Sequence, residues 1–438
     1  MMRAKPPMPL VFRRFRVFWA IACIFFLLAF SALVLAPMGY SWMSLEALPV
    51  SPAFQRLASY LSSAGIRPRR LPWKPAGVDY GNTAVPAVEQ GKRIYLAWQV
   101  NPLSLDTIPP GVNVLAPRWF YMESNNGTAV VNDLGHLING KASSWDPTQF
   151  VQAAHDGGAQ VWAQVMSFTP KLSKQVVTDA ERRGDFISRI VAWVQQYKLD
   201  GIDFDFEDMD PKDAGQYTNF IADCKQALPP GIVVSVDVTV PLDNPSPTNW
   251  YQCYDRAGLG KVADYIAVMT YENYDWKPLA AIDWVNGRVK AMLEEVPADK
   301  LLLGVPFYGL DFKTGLKDNA VLAAVPDNLD NPDPPRTITP AVVQALLGKG
   351  YYTTSKGAKI EIAYWIEKGV WSDEYAATRY SFVDTDNNLH ILYCDDERSL
   401  RMKGSLMAFD RLGGVAVWEM VYGTDGMWNA LSDGMTAQ

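Results

Sequence analysis

Cysteine and histidine are scarce: 438 residues hold four of the first and three of the second. His136, His155 and His390 form no zinc-like cluster with them. Cys23 falls in an early apolar run, leaving Cys224, Cys253 and Cys394, an odd number that cannot be fully paired within one chain. A disulfide framework is therefore not indicated. Positive charge is short too, with a net charge of −7, which argues against nucleic acid as a partner. Internal repeats and low-complexity tracts are missing. Nothing calls for a metal or an organic cofactor, and no protein partner is indicated.

Apolar and aromatic residues are plentiful. Hydrophobic residues make up 49% and aromatic residues 12%, including 15 tryptophans. Indole rings suit a carbohydrate site because sugar rings expose apolar C–H faces, although core packing claims most of them. The length exceeds one average domain, yet an α/β barrel of about 250 residues with insertions accounts for most of it.

The chain is organised around residues 199–207, Leu-Asp-Gly-Ile-Asp-Phe-Asp-Phe-Glu. As a β-strand, this run points Asp203, Asp205 and Glu207 to one side and Ile202, Phe204 and Phe206 to the other. The apolar side must be buried, and the helix-like stretch 186–198 before it suggests a parallel sheet covered by helices. Same-face residues on a strand lie about 7 Å apart, too close for three carboxylates to ionise freely where water is scarce. One proton is then retained, and its holder can act as a general acid. A calcium loop fits poorly, because its sixth position needs glycine and here it is Asp208.

The front of the chain reads differently. Arg3, Lys5, Arg13, Arg14 and Arg16 precede an uncharged run at 17–36, just long enough for a transmembrane helix whose basic flank stays cytoplasmic. A cleaved signal peptide is the alternative, but the run exceeds the usual apolar length of about 7 to 15 residues. Residues 1–37 are thus expected to be a tail and membrane anchor, 38–91 an extracytoplasmic stalk rich in Pro, Ser and Ala, and 92–438 the folded domain. In that domain, short apolar runs at 94–100, 112–117, 160–168, 201–207, 232–240, 265–271, 301–308 and 414–420 alternate with amphipathic stretches such as 146–156, 185–197, 213–227 and 284–295. Eight strands is the number a (β/α)₈ barrel requires. The long gap at 311–391, between the seventh and eighth strands, predicts an inserted α+β subdomain, with a helix near 339–349 and strands at 359–366, 378–383 and 390–393.

Asp200, Gly201, Asp203, Asp205 and Glu207 spell Asp-Gly-x-Asp-x-Asp-x-Glu, which resembles the signature of family 18 glycoside hydrolases, the chitinase-like TIM barrels. Residues 301–309 resemble the seventh strand of that family, 267–271 the sixth, and 396–400 with 413–418 the last helix and strand. Residues 113–120 resemble the second strand of its spore-cortex and peptidoglycan N-acetylglucosaminidase branch. The likeness spans about 93–426.

The resemblance implies hydrolysis of β-1,4 bonds at N-acetylglucosamine with retention of configuration, the substrate's own acetamido oxygen attacking C1. It implies Glu207 as the acid, Asp205 as the group that orients the acetamide, Asp203 as its proton-sharing neighbour, and Tyr271 as donor to the acetamide oxygen. Trp418 matches the floor of the sugar subsite. Glu272 stands where many chitinases have aspartate, which moves its carboxylate by about one bond length. Met269, Tyr308, Trp98, Gln164, Asp237, Trp119 and Trp276 are further candidates for lining the groove. The expected polymer is peptidoglycan or spore cortex, with chitin oligomers or other glycans as alternatives. A non-catalytic carbohydrate-binding barrel is the reading from another class, but such proteins usually lose the acid, and Glu207 is present.

Overall fold

The computed structural model describes residues 93–137, 145–242, 250–271, 273, 278–316 and 335–436. The expected anchor and stalk, together with Glu272 and Trp276, lie outside the described residues. Among the described residues, no helix is long and apolar enough to cross a membrane.

All eight expected strands form. They are β1 (Ile94–Val100), β2 (Val114–Asn125), β4 (Gln160–Ser167), β5 (Gly201–Phe206), β6 (Val233–Thr239), β7 (Tyr265–Met269), β8 (Leu301–Pro306) and β15 (Gly414–Trp418). Each pairs in parallel with its neighbours in the order β1-β15-β8-β7-β6-β5-β4-β2, and β2 pairs back with β1 to close the barrel. Alternation divides each strand. Ile94, Leu96, Trp98, Val114, Ala116, Trp162, Val233, Tyr265, Ala267, Leu302 and Ala416 fill the interior as one cluster, and the intervening residues join the larger core shared with the helices. On β5 that outer side is aromatic. Phe204 meets Phe220 edge-on at 5.4 Å and Phe206 stacks on Tyr217 at 5.3 Å.

Helix starts follow their caps. Asp146 accepts the N–H groups of Thr148 and Gln149 and opens α1 (Pro147–Asp156). Asp179 does the same for Glu181 and Arg182, so α2 (Ala180–Tyr197) begins more than a turn before the expected position. Phe220 and Tyr217 belong to α3 (Ala214–Ala227). Gly304 sets the spacing of β7 and β8: a Cβ there would lie 2.3 Å from the Val268 carbonyl oxygen and 3.1 Å from the Tyr271 ring. Only glycine permits that approach.

Two features depart from the expected pattern. β2 continues past Pro117 and turns back at Asn126-Gly127, both with positive φ (49° and 81°), into the antiparallel β3 (Thr128–Asp133). That dipeptide is a strong hairpin signal. The seventh apolar run also divides, because β8 ends at Pro306 and β9 (Gly309–Gly315) opens the insertion.

The insertion is a six-stranded antiparallel sheet in the order β10-β9-β14-β13-β12-β11. Its remaining strands are β10 (Arg336–Ile338), β11 (Tyr351–Thr353), β12 (Lys359–Ser372), β13 (Ala377–Asp384) and β14 (Asn388–Cys394), and its helix is α4 (Pro340–Lys349). It is the expected α+β unit with slightly wider bounds. Its core includes a buried His390, whose Nδ1 lies 2.8 Å from Asp311 and Nε2 3.2 Å from Asp384. Burial opposes its charge, but the two carboxylates outweigh burial and raise its pKa. Cys224, Cys253 and Cys394 are each buried and unpaired.

Candidate active site

The acids of β5 occupy the barrel interior as alternation requires, and they climb from its sealed middle to its open end. Asp203 is 0% exposed and Asp205 6%, whereas Glu207, one residue beyond the strand, is partly exposed. The Glu207 N–H still donates to the Ser167 carbonyl at 2.9 Å. Asp208 then turns the chain away in a left-handed conformation (φ 56°), which aspartate tolerates better than most residues. Glu207 is thereby held at the C-terminal mouth, where TIM barrels place their reacting groups.

Beneath it, the carboxyls are held in layers. Trp98 Nε1 donates to Asp203 Oδ2 at 2.8 Å, and Gln164 Nε2 donates to Asp237 Oδ2 at 3.0 Å. Register explains the assembly, since Gln164 on β4 and Ser235 on β6 flank Asp203 directly. Oδ1 of Asp203, Oδ1 of Asp237 and Oγ of Ser235 are buried without an aligned partner. Burial, then the Asp203 and Asp205 charges, push the Asp237 pKa far above the carboxylate range. A proton held on Asp237 and shared with Asp203 satisfies two of these orphaned oxygens.

Burial also raises Asp205, to about 7; the hydrogen bond from Glu207 opposes this, Asp203 adds to it and Arg118 opposes it. The bond that lowers Asp205 is one in which Glu207 donates, so the upper pair can hold one proton, on Glu207, or two. In the one-proton form Glu207 donates to an ionised Asp205.

Replacing Trp98 tests the lower layer. Trp98→Phe removes the donor to Asp203 and keeps an aromatic ring. The expected loss is about 2 kcal/mol of unfolding free energy, read as a lower urea midpoint at unchanged m-value.

The other expected residues divide into rim and interior. Trp418 is partly exposed and tilts over Trp98 with ring centroids 6.2 Å apart, forming a floor beside the acids. Met269 ends β7 with 8% exposure on the same inward face as Ala267. Tyr271 follows it and packs edge-on against Tyr308 at 6.2 Å. Trp98, Gln164 and Asp237 do not line a groove. At 1% to 2% exposure they lie under the row and act on its carboxyls.

Trp119 is displaced altogether. Alternation from inward-facing Arg118 already places it on the outer side, and a bulge between Arg118 and Phe120 turns Phe120 outward as well. The Trp119 ring packs on Phe150 at 4.9 Å, and its Nε1 donates to the Pro102 carbonyl.

The sequence reading gave no role to Arg118 and Glu419. Arg118, two residues after inward-facing Ala116, stands opposite Val100 and Gln164, and its Nε is buried without a partner. Glu419 follows Trp418 and accepts the Val100 N–H at 3.2 Å. Burial raises its pKa, while the Val100 and Tyr422 hydrogen bonds and the Arg118 charge oppose the rise. A lone charge in the apolar run of β2, in phase with Val114 and Ala116, was the available signal for Arg118.

Comparison with known proteins places this geometry. The chain is 23% identical over 309 residues to the uncharacterized glycosylase YvbX of Bacillus subtilis, covering 68% of this chain and 81% of that protein. It is 24% identical over 276 residues to the cortical fragment-lytic enzyme of Bacillus anthracis, covering 62% of this chain but only 57% of the relative. A solved chitinase from Chromobacterium violaceum superposes with a TM-score of 0.61 at 19% identity, covering 79% of this chain and all of that one. Residues 156–423, more than half of the chain and including the entire acid row, match the family described as glycosyl hydrolases family 18. The chain belongs to that family and is a glycosidase.

Proposed function

We propose that this glycosidase cleaves β-1,4 bonds next to N-acetylglucosamine in peptidoglycan or its spore-cortex form, by a retaining, substrate-assisted route. The observation that carries the reading is the graded row. Glu207 at the mouth shares a hydrogen bond with Asp205, while Asp203 and Asp237 lie sealed below with the pKa of Asp237 raised by burial.

Glu207 protonates the glycosidic oxygen as the bond breaks. Ionised Asp205 accepts the acetamide N–H and stabilises the positive charge that develops as the acetamide oxygen closes on C1. Asp203 and Asp237 buffer that change of charge from below. Tyr271 orients the acetamide oxygen, and the indole of Trp418 carries the apolar face of the sugar.

The relative named a cortical fragment-lytic enzyme supports the spore-cortex polymer as substrate. Anchoring by residues 17–36, with the barrel outside the membrane, brings the site to that polymer. The test is mass analysis of fragments released by the purified full-length chain from peptidoglycan and from chitin oligomers. Peptidoglycan fragments ending in N-acetylglucosamine are the expected product. Faster release from chitin oligomers assigns the enzyme to chitin, and release from neither overturns the reading.

A further inference from the structure

We propose that Arg118 and Glu419 form a charge couple that sets how many protons the catalytic row holds, with Arg118 the positioning residue that keeps Asp205 ionised while Glu207 carries its proton. The inference rests on the roles proposed for Glu207 and Asp205, and it goes beyond them by assigning work to two residues outside the family signature.

The couple follows from register. Arg118 leaves β2 on the inward side, beside Val100 of β1 and Gln164 of β4. Gln164 stands beside Asp203, and one inward step higher Met166 stands beside Asp205. Arg118 thus enters the barrel level with Asp203, one inward step below Asp205, and its charge is felt at Asp205. Among the described residues it makes no ion pair within 4 Å, yet its charge opposes the rise of both Asp205 and Glu419. Glu419 is fixed by the Val100 N–H, on the residue that pairs with Arg118 itself. One cation therefore stands between two buried carboxyls, and whichever loses its charge leaves Arg118 to the other.

The remaining groups around Asp205 do not supply this charge. On its own strand, Asp203 and the neighbouring Glu207 are acids. Asp237 on β6 is itself an acid, its pKa raised by burial and by its carboxylate neighbours. Behind the strand, Tyr217 of α3 and Tyr254 are buried phenols with pKa values far above neutrality. Among these groups Arg118 is the cation.

The sign follows. Removing Arg118 favours the two-proton form, in which Asp205 is neutral and cannot stabilise positive charge. Removing the Glu419 charge frees Arg118 and favours the one-proton form.

The experiment is carboxyl-carbon NMR titration of the full-length chain with ¹³C-labelled aspartate, beside pH profiles of kcat/KM on an N-acetylglucosamine tetramer. Four proteins are compared: wild type, Arg118→Met, Arg118→Lys and Glu419→Gln. Wild-type Asp205 is expected to titrate near 7, with the acid limb of kcat/KM at the same pH. In Arg118→Met both move up by about one unit, a loss of about tenfold below the limb. Arg118→Lys restores most of the shift, and Glu419→Gln moves both downward.

A fixed Asp205 midpoint in Arg118→Met, or shifts of the same sign in Arg118→Met and Glu419→Gln, overturns the couple. A uniform loss of rate at every pH assigns Arg118 to structure alone. Shifts as expected in a chain that hydrolyses nothing would uphold the electrostatics and overturn the proposed function.

Discussion

Glu207→Gln is expected to lower kcat on N-acetylglucosamine oligomers by at least about a hundredfold, with KM little changed. The carboxamide has the same shape, and the backbone bond from residue 207 to the Ser167 carbonyl does not involve the side chain. Its NH₂ can still donate to Asp205, as the protonated acid does, so the pair keeps its geometry. What disappears is the transferable proton, and general acid catalysis contributes about 10² to 10⁴ in rate. The loss therefore belongs in kcat rather than in binding. Steady-state rates at the wild-type pH optimum decide it, and turnover within a few fold of wild type would remove Glu207 from the chemistry. Far-UV circular dichroism of the variant separates a chemical loss from a folding one.

The sequence exposed the row because a period of two is visible over seven residues, with Ile202, Phe204 and Phe206 on one side and Asp203, Asp205 and Glu207 on the other. It did not expose depth. Trp98, Gln164 and Asp237 are inward-facing, as their spacing implies, but which inward residues reach the mouth depends on strand tilt and stagger in the closed barrel. Those quantities arise from the pairing of all eight strands and are not properties of one. Hence three residues expected to touch substrate instead hold the carboxyls from below.

Trp119 failed for a different reason. Alternation with inward-facing Val114, Ala116 and Arg118 puts it on the outer side, and the bulge after Arg118 then keeps Phe120 there too. Nothing local in Pro117-Arg118-Trp119-Phe120 marks the bulge. The hairpin at Asn126-Gly127, by contrast, carried its own signal, because both positive φ angles suit those two residues. In the insertion, β12 outruns its expected end at residue 366 because it continues to Ser372 through three irregularities in its pairing with β13.

Substrates lacking the N-acetyl arm are expected to be turned over more than about a thousandfold more slowly than their acetylated counterparts. In the proposed route the nucleophile belongs to the substrate, and the described acids leave no room for a second one. Asp203 is sealed at 0% exposure beneath Trp98. Asp205 sits one step below the mouth, hydrogen-bonded to Glu207. A tethered amide oxygen in near-attack geometry supplies an effective concentration that solvent water does not match, worth about 7 kcal/mol or more when alignment is good. Replacing the amide with a free amine removes both the attacking oxygen and the N–H that Asp205 orients, and it adds a positive charge where one must later form. The measurement is single-turnover release of a common leaving group from matched N-acetylglucosaminides and glucosaminides. Comparable rates for the pair would place the nucleophile on the protein or on water, and the role given to Asp205 would fall with it. A large gap that persists in Arg118→Lys would show that the discrimination resides in the amide arm itself rather than in the charge balance of the row.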